Sequence, residues 1–252
     1  MKYRAVFISD IHLGTRICQA ERLLDFFRDN EFEQLYLVGD IVDMQAVRKH
    51  GFYWDENHNT VIQKILRMAR KGVKVSYIIG NHDIFLNFLV PEHFGGIDIM
   101  ERAVHHGLKG EKCLVMHGHQ LDGAIRKIPW LYWLGDAMYD WAIKISALLK
   151  FFQNIMGLDE WSLSLYLKTK VKNVVQFIND YERLVVCETK KSTLHLNTVI
   201  AGHIHMADDK QIGGIRYLNC GCWTEFCSAV VERMDGGLEL IRFDSSDPVL
   251  RS

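Results

Sequence analysis

Short apolar runs alternate with amphipathic stretches through the first half of the chain. Tyr3–Ser9 (YRAVFIS), Gln34–Gly39 (QLYLVG) and Val73–Ile79 (VKVSYII) are β-branched and aromatic runs of strand length. Between them, Gln19–Asn30 places Leu23, Leu24, Phe26 and Phe27 on one helical face, and a second helix is expected near Thr60–Lys71. Nearly continuous apolar strands separated by such helices predict an α/β layer architecture, because both faces of the sheet must be covered. Lys112–Met116 and Asn197–Ala201 read as further strands. From Asp208 onward the pattern is one of β-hairpins, with Gly213-Gly214 and Gly236-Gly237 in the turns.

The pattern changes between about Gln120 and Leu196. Apolar residues fall at helical spacing (Leu163, Leu167, Val171, Val174, Ile178, Tyr181), and four of the six tryptophans, Trp130, Trp133, Trp141 and Trp161, lie there. This predicts a helical insertion over residues 122–190 in a core made of residues 1–121 and 191–252. The most lipid-like stretch, Ile125 to Leu158, is interrupted by Arg126, Lys127, Asp136, Asp140, Lys144 and Lys150. It does not supply the ~20 uninterrupted apolar residues of a spanning helix.

Composition narrows the function class. Thirty Lys+Arg against 31 Asp+Glu leave a net charge of −1, without the basic excess of a nucleic-acid binder. The first residues lack the layout of a signal peptide, so the six cysteines are expected as reduced thiols of a cytoplasmic protein. Cys220, Cys222 and Cys227 have C-x-C-x4-C spacing with no second knuckle, which favours buried strand thiols over a zinc site. The 12 histidines are the unusual feature.

Five segments place Asp, His or Asn directly after a predicted strand: Ser9-Asp10-Ile11-His12, Gly39-Asp40-Ile41-Val42-Asp43, Gly80-Asn81-His82-Asp83, Met116-His117-Gly118-His119 and Ala201-Gly202-His203-Ile204-His205. Loops at strand ends aim side chains into a cleft. Any one of these segments is a weak signal; together they supply carboxylates, an amide oxygen and imidazoles, a donor mixture suited to Mn²⁺, Fe²⁺ or Zn²⁺. So many donors exceed one coordination sphere, and two ions sharing a carboxylate at ~3.5–4 Å satisfy them. The glycines before Asp40, Asn81 and His203 permit close backbone approach. No serine or cysteine sits in a nucleophile elbow such as G-x-S-x-G.

In this order the motifs D-x-H, G-D-x-x-D, G-N-H-D, H and G-H-x-H resemble the calcineurin-like metallophosphoesterase superfamily. SDIHLG, GNHD, MHGHQLD, AGHIH, YLNCGCWTE and the helical insertion are similar to its UDP-2,3-diacylglucosamine pyrophosphatase branch. The resemblance implies a four-layer αββα sandwich and two divalent ions, with Mn the first expectation and Fe or Zn the alternatives. It implies that Asp10, His12, Asp40 and His205 hold one ion and that Asp40, Asn81, His117 and His203 hold the other. His82 would act on a phosphoryl oxygen or the leaving group; Asp43 and Asp83 would orient imidazoles or hold loops. The familiar members of the branch carry Arg at the position of His82, and this chain keeps the form general to the superfamily.

The implied reaction is in-line attack of a hydroxide held between the ions on the pyrophosphate of UDP-2,3-diacylglucosamine, giving UMP and 2,3-diacylglucosamine 1-phosphate for lipid A. The alternative is another phosphodiester, nucleotide or phosphomonoester substrate for the same site. Arg16, Arg48 and Lys168 are candidate substrate contacts, with Trp133 in an apolar lid that holds acyl chains and touches the cytoplasmic face of the inner membrane. Asn219 and Trp223 are expected near the site floor by the same resemblance. His105 and His106 read as exposed turn residues; His50, His58, His93 and His195 have no motif context and read as structural or solvated.

Overall fold

The computed structural model describes residues 1–46, 53–122 and 160–243, with side chains in the last segment from residue 175 onward. They form two compact units, one of residues 1–120 with 185–252 and one of residues 121–184.

The first unit holds two β-sheets. Strands β1 (Lys2–Ile8), β2 (Glu31–Val38), β3 (Lys74–Ile78) and β5 (Ile97–Met100) run parallel in a seven-stranded sheet. The short β4 (His93–Phe94) closes one edge, and the hairpin of β11 (Ser228–Arg233) and β12 (Leu238–Arg242) closes the other, giving the order β12-β11-β1-β2-β3-β5-β4. The five-stranded sheet is ordered β6 (Arg102–His106), β7 (Lys112–Met116), β8 (Thr198–Ala201), β10 (Ile215–Asn219), β9 (Asp208–Ile212).

Side-chain alternation explains how both faces are buried. From β1 and β2, Tyr3, Val6, Ile8, Phe32, Leu35 and Leu37 pack with Leu23, Phe26 and Phe27 of α1 (Ala20–Asp29) and with Val61 and Ile65 of α2 (Glu56–Arg70). The alternate residues Ala5, Phe7, Tyr36 and Val38 meet Cys113, Val115, Ile200 and Leu218 of the other sheet. The last turns of α3 (Glu160–Lys191) carry the buried Val185 and Val186, and Glu188 pairs with Arg102 of β6 at 2.9 Å. Sheets face to face under helices make the expected four-layer αββα sandwich. Among the described residues no helix is long and apolar enough to cross a membrane.

Two expectations are corrected. The second helix begins at Glu56 rather than near Thr60, because Asp55 caps it by accepting from the His58 backbone N–H at 2.9 Å. Strands β4 to β6 lie in a stretch where the apolar runs are too short to register. With β6 comes the second correction: His105 and His106 lie in this strand rather than in a turn, and His105 is buried rather than exposed. Its Nε2 lies 2.9 Å from Glu232 Oε2, and its ring packs edge-on against Phe7. Glu232 is itself buried, and it also accepts from Arg4 at 2.5 Å and from the Leu108 backbone N–H at 2.7 Å. Inside a sheet sandwich a histidine persists when such a partner satisfies it.

Candidate metal centre

The parallel strands β1, β2 and β3 and, in the other sheet, β7 and β8 all end at the predicted motifs, which brings Asp10, Asp40, Asn81, His117, His203 and His205 together at the C-terminal ends of the strands. Asp10, His12, Asp40, His203 and His205 have φ angles of 52°, 54°, 53°, 73° and 55°, in the left-handed region. Non-glycine residues held there are strained, and such strain gathers where surrounding structure forces a functional geometry. Three glycines make room. A Cβ on Gly39 would strike the His117 ring, one on Gly80 would strike Asp40 Oδ1, and one on Gly202 would sit 2.7 Å from Asp10 Oδ2.

The two aspartates are presented alike. Asp10 Oδ2 accepts from the His203 backbone N–H at 3.0 Å, and Asp40 Oδ1 accepts from the His82 backbone N–H at 2.8 Å. Each therefore turns its second oxygen to imidazoles. Asp10 Oδ1 lies 3.1 Å from His205 Nε2 and 4.0 Å from His12 Nε2; Asp40 Oδ2 lies 3.2 Å from His117 Nε2. Among the described residues three groups could hold a cation: Asp10 with His12 and His205, Asp40 with His117 and His203, and His12 with Asp43 and His82. Asn81 joins the second, its Oδ1 3.2 Å from His117 Nε2.

The imidazoles are oriented from behind. His117 Nδ1 lies 2.9 Å from the Val38 carbonyl, which makes Nδ1 the donor and leaves Nε2 for the cluster. Asp43 serves two rings: Oδ2 is 2.9 Å from His12 Nδ1, and Oδ1 is 2.9 Å from His82 Nδ1. His82 thus stands beside the clusters with Nε2 3.9 Å from Asp40 Oδ2. Asp83 holds loops: its Oδ2 accepts from the Tyr77 hydroxyl at 2.9 Å and from the Ile41 backbone N–H at 3.4 Å. His119 stays at the side, its ring centroid 5.5 Å from that of His117.

The electrostatics suit a cation. Burial opposes charge on Asp10, yet the His205 imidazole outweighs it and brings the carboxyl down to about 2. Burial likewise opposes charge on His117, and the Asp40 carboxylate beside it drives the ring up to about 10. Burial and the nearby Asp40 push Asp83 the other way, up to about 8. Carboxylates and imidazoles set side by side favour each other's charged forms, and metal binding displaces the protons such imidazoles carry. Asp10 Oδ1 is buried without a hydrogen bond of good geometry. His12 Nε2 and His205 Nε2, 3.2 Å apart, would oppose two lone pairs without a proton or cation between them. These observations fit divalent ions.

Arg16 is exposed, with its guanidinium 4.5 Å from the Tyr53 ring centroid. Arg48 and Trp133 lie outside the described residues, and Lys168 lies on α3 in the part whose side chains are not described. Asn219 and Trp223 are buried beside the site: Asn219 Nδ2 donates to the Gly202 carbonyl at 2.9 Å and the Trp223 backbone N–H to that of Asp10 at 3.0 Å. Cys220, Cys222 and Cys227 are buried free thiols, and among the described residues no metal-holding group includes a cysteine. Burial pushes the Cys222 thiol up, and the nearby His205 imidazole outweighs it and brings the thiol down to about 7. The CGCW spacing gave no signal of that proximity, which depends on β10 lying beside β8.

UDP-2,3-diacylglucosamine hydrolase of Histophilus somni (strain 129Pt) is 31% identical over 152 residues, 52% of this chain and 59% of that protein. The protein of that name from Aliivibrio fischeri (strain MJ11) is 28% identical over 51% of this chain and 57% of its own. The alignments thus span somewhat over half the length of these relatives. The one from Psychromonas ingrahamii is 24% identical over 222 residues, 80% of each chain. The calcineurin-like phosphoesterase family matches residues 3–207, from the first strand through the H-x-H loop, and the chain belongs to that family of metal-dependent phosphoesterases.

Proposed function

We propose that this protein hydrolyses the pyrophosphate of UDP-2,3-diacylglucosamine, releasing UMP and 2,3-diacylglucosamine 1-phosphate. The observation that carries the chemistry is the pair of adjoining carboxylate–imidazole clusters with His82 held beside them on Asp43. The substrate rests on the curated relatives of that name. Asp10, His12, Asp40 and His205 hold one ion and Asp40, Asn81, His117 and His203 the other. Mn²⁺ is the first choice, with Fe²⁺ or Zn²⁺ also matching the donors. When bound, the two cations supply positive charge to phosphoryl oxygens and lower the pKa of water.

The chain's own groups do the rest. Asp43 Oδ1 stands 2.9 Å from Nδ1 of His82, and Nε2, on the other side of the ring, donates a proton to a nonbridging or leaving oxygen. The same carboxylate holds His12, and the Val38 carbonyl holds His117, so both rings present Nε2 without reorganisation. Arg16, Arg48 and Lys168 pair with the nucleotide phosphates. The helical insertion over 122–190, with Trp133, encloses the acyl chains in peripheral contact with the cytoplasmic face of the inner membrane.

Turnover of UDP-2,3-diacylglucosamine with Mn²⁺, read as UMP release, tests this. Hydrolysis of a soluble aryl phosphodiester without UMP release would favour the second reading, a family member acting on another phosphodiester, nucleotide or phosphomonoester. His82, where familiar members of the branch carry Arg, is the feature that speaks for that reading.

A further inference from the structure

We propose that Tyr53 is a positioning residue that holds the Arg16 guanidinium ready for a phosphate group of the substrate. The inference rests on the reading of Arg16 as a phosphate contact, and it assigns the side chain that keeps this exposed arginine in place.

Arg16 leaves the loop that carries Asp10 and His12, and that loop is tied down at each step. Leu13 pairs in parallel with Val42, and its carbonyl accepts from the Asp43 backbone N–H at 2.8 Å. The Gly14 backbone N–H donates to Nδ1 of His58 on α2 at 3.3 Å. Thr15 then closes a turn, its backbone N–H and its hydroxyl both donating to the His12 carbonyl, at 3.2 Å and 2.8 Å. The direction in which Arg16 departs is therefore set by the same backbone that presents His12.

A free arginine side chain loses its rotamer freedom on gripping an anion, which weakens the contact. Here the guanidinium stands 4.5 Å over the Tyr53 ring centroid, and among the described residues no carboxylate is paired with it. An ion pair would neutralise the charge and take up N–H donors. A ring face orders the side chain and leaves both for a phosphate. Tyr53 is itself held from two directions. Its hydroxyl donates to Asp55 Oδ2 at 3.3 Å, and Asp55 Oδ1 in turn accepts from the His58 backbone N–H at 2.9 Å. Its ring stands nearly perpendicular to the buried His58 ring, with centroids 5.6 Å apart. His58 thus braces both halves, the Gly14 backbone below Arg16 and the tyrosine ring beside it.

The test is a double-mutant cycle on the full-length, Mn²⁺-loaded protein: Arg16→Ala, Tyr53→Leu and both together. Leucine keeps apolar bulk without a π face, whereas Tyr53→Phe keeps the face and loses only the tether to Asp55. With UDP-2,3-diacylglucosamine, Tyr53→Leu should raise KM by about 2–5-fold, the worth of an exposed cation–π contact. The effect should fall on KM rather than on kcat, with Mn²⁺ content as in wild type, and Tyr53→Phe should lie nearer wild type. In the Arg16→Ala background Tyr53→Leu should add nothing, which a merely structural tyrosine would not give. Unchanged KM in Tyr53→Leu, an equal rise on top of Arg16→Ala, or loss of Mn²⁺ in Tyr53→Leu overturns the proposal. Unchanged KM in Arg16→Ala overturns the reading of Arg16 and the proposal with it. If wild type releases no UMP, the same cycle is read as inhibition by inorganic phosphate of the hydrolysis of a soluble aryl phosphodiester, so the role of Tyr53 stands or falls apart from the choice of substrate.

Discussion

The space that a Cβ on Gly39 would fill is occupied by the imidazole of His117, a residue 78 positions further along the chain in the other sheet. Gly39 follows β2 at φ 80° and hands the chain to Asp40, whose carboxylate meets that same imidazole at 3.2 Å. One missing methyl group thus sets the distance between an aspartate and a histidine that the proposed reading assigns to one ion.

Gly39→Ala should therefore damage the centre rather than only the fold. The left-handed backbone alone costs about 1–3 kcal/mol for a residue with a Cβ, and the clash also displaces His117. Metal content after dialysis should fall, together with the midpoint of thermal unfolding. A variant that keeps its metal would show that the ring moves aside freely.

Asp40→Ala removes the carboxylate expected to serve both ions. Hydrolysis should vanish, and metal content measured by elemental analysis should drop from two ions per chain to one or none. Two retained ions with activity would place the shared ligand elsewhere.

His82 and Asp43 should separate in their effects. His82→Ala should slow turnover by about 10²–10⁴-fold, the usual worth of a proton donor, while both ions stay bound. Asp43→Ala removes the partner of His82 and of His12 at once, so it should slow turnover and also weaken the site that contains His12. Metal loss in His82→Ala would instead make His82 a ligand.

The buried His105 predicts a pH dependence of stability. Burial holds its pKa below the ordinary imidazole value, with Glu232 offsetting only part of that effect. The unfolded chain therefore takes up more protons than the folded one below about pH 6.5, and stability falls as pH drops through that value. One such group contributes a slope of at most about 1.4 kcal/mol per pH unit. The difference in denaturation midpoint between metal-free wild type and His105→Gln should move against wild type as pH is taken from about 7.5 to 5.5. Equal slopes would remove His105 from the account.

Much of the fold was readable from period alone. β1, β3, β7, α1 and both C-terminal hairpins stand within a residue or two of where the apolar pattern puts them, because each buries a complete face or stripe. The region from β4 to β6 was not readable: two to five residues per strand give too few repeats for a period. His105 was misread for the same reason, since nothing near it in sequence announces Glu232, which lies 127 residues away.

The sequence by itself determined which residue types arrive at the strand ends and in what order, because strand length and the residue after each strand are local matters. Those local facts were enough to place the chain in its family. Only the tertiary structure decided which partner stands behind these imidazoles: Asp43 behind both His12 and His82, and the Val38 carbonyl behind His117. These pairings join residues that are neighbours only because β1, β2, β3 and β7 lie where sheet order and sheet packing put them. Sheet order is set by how all the strands together bury their apolar faces, and no single motif carries that information.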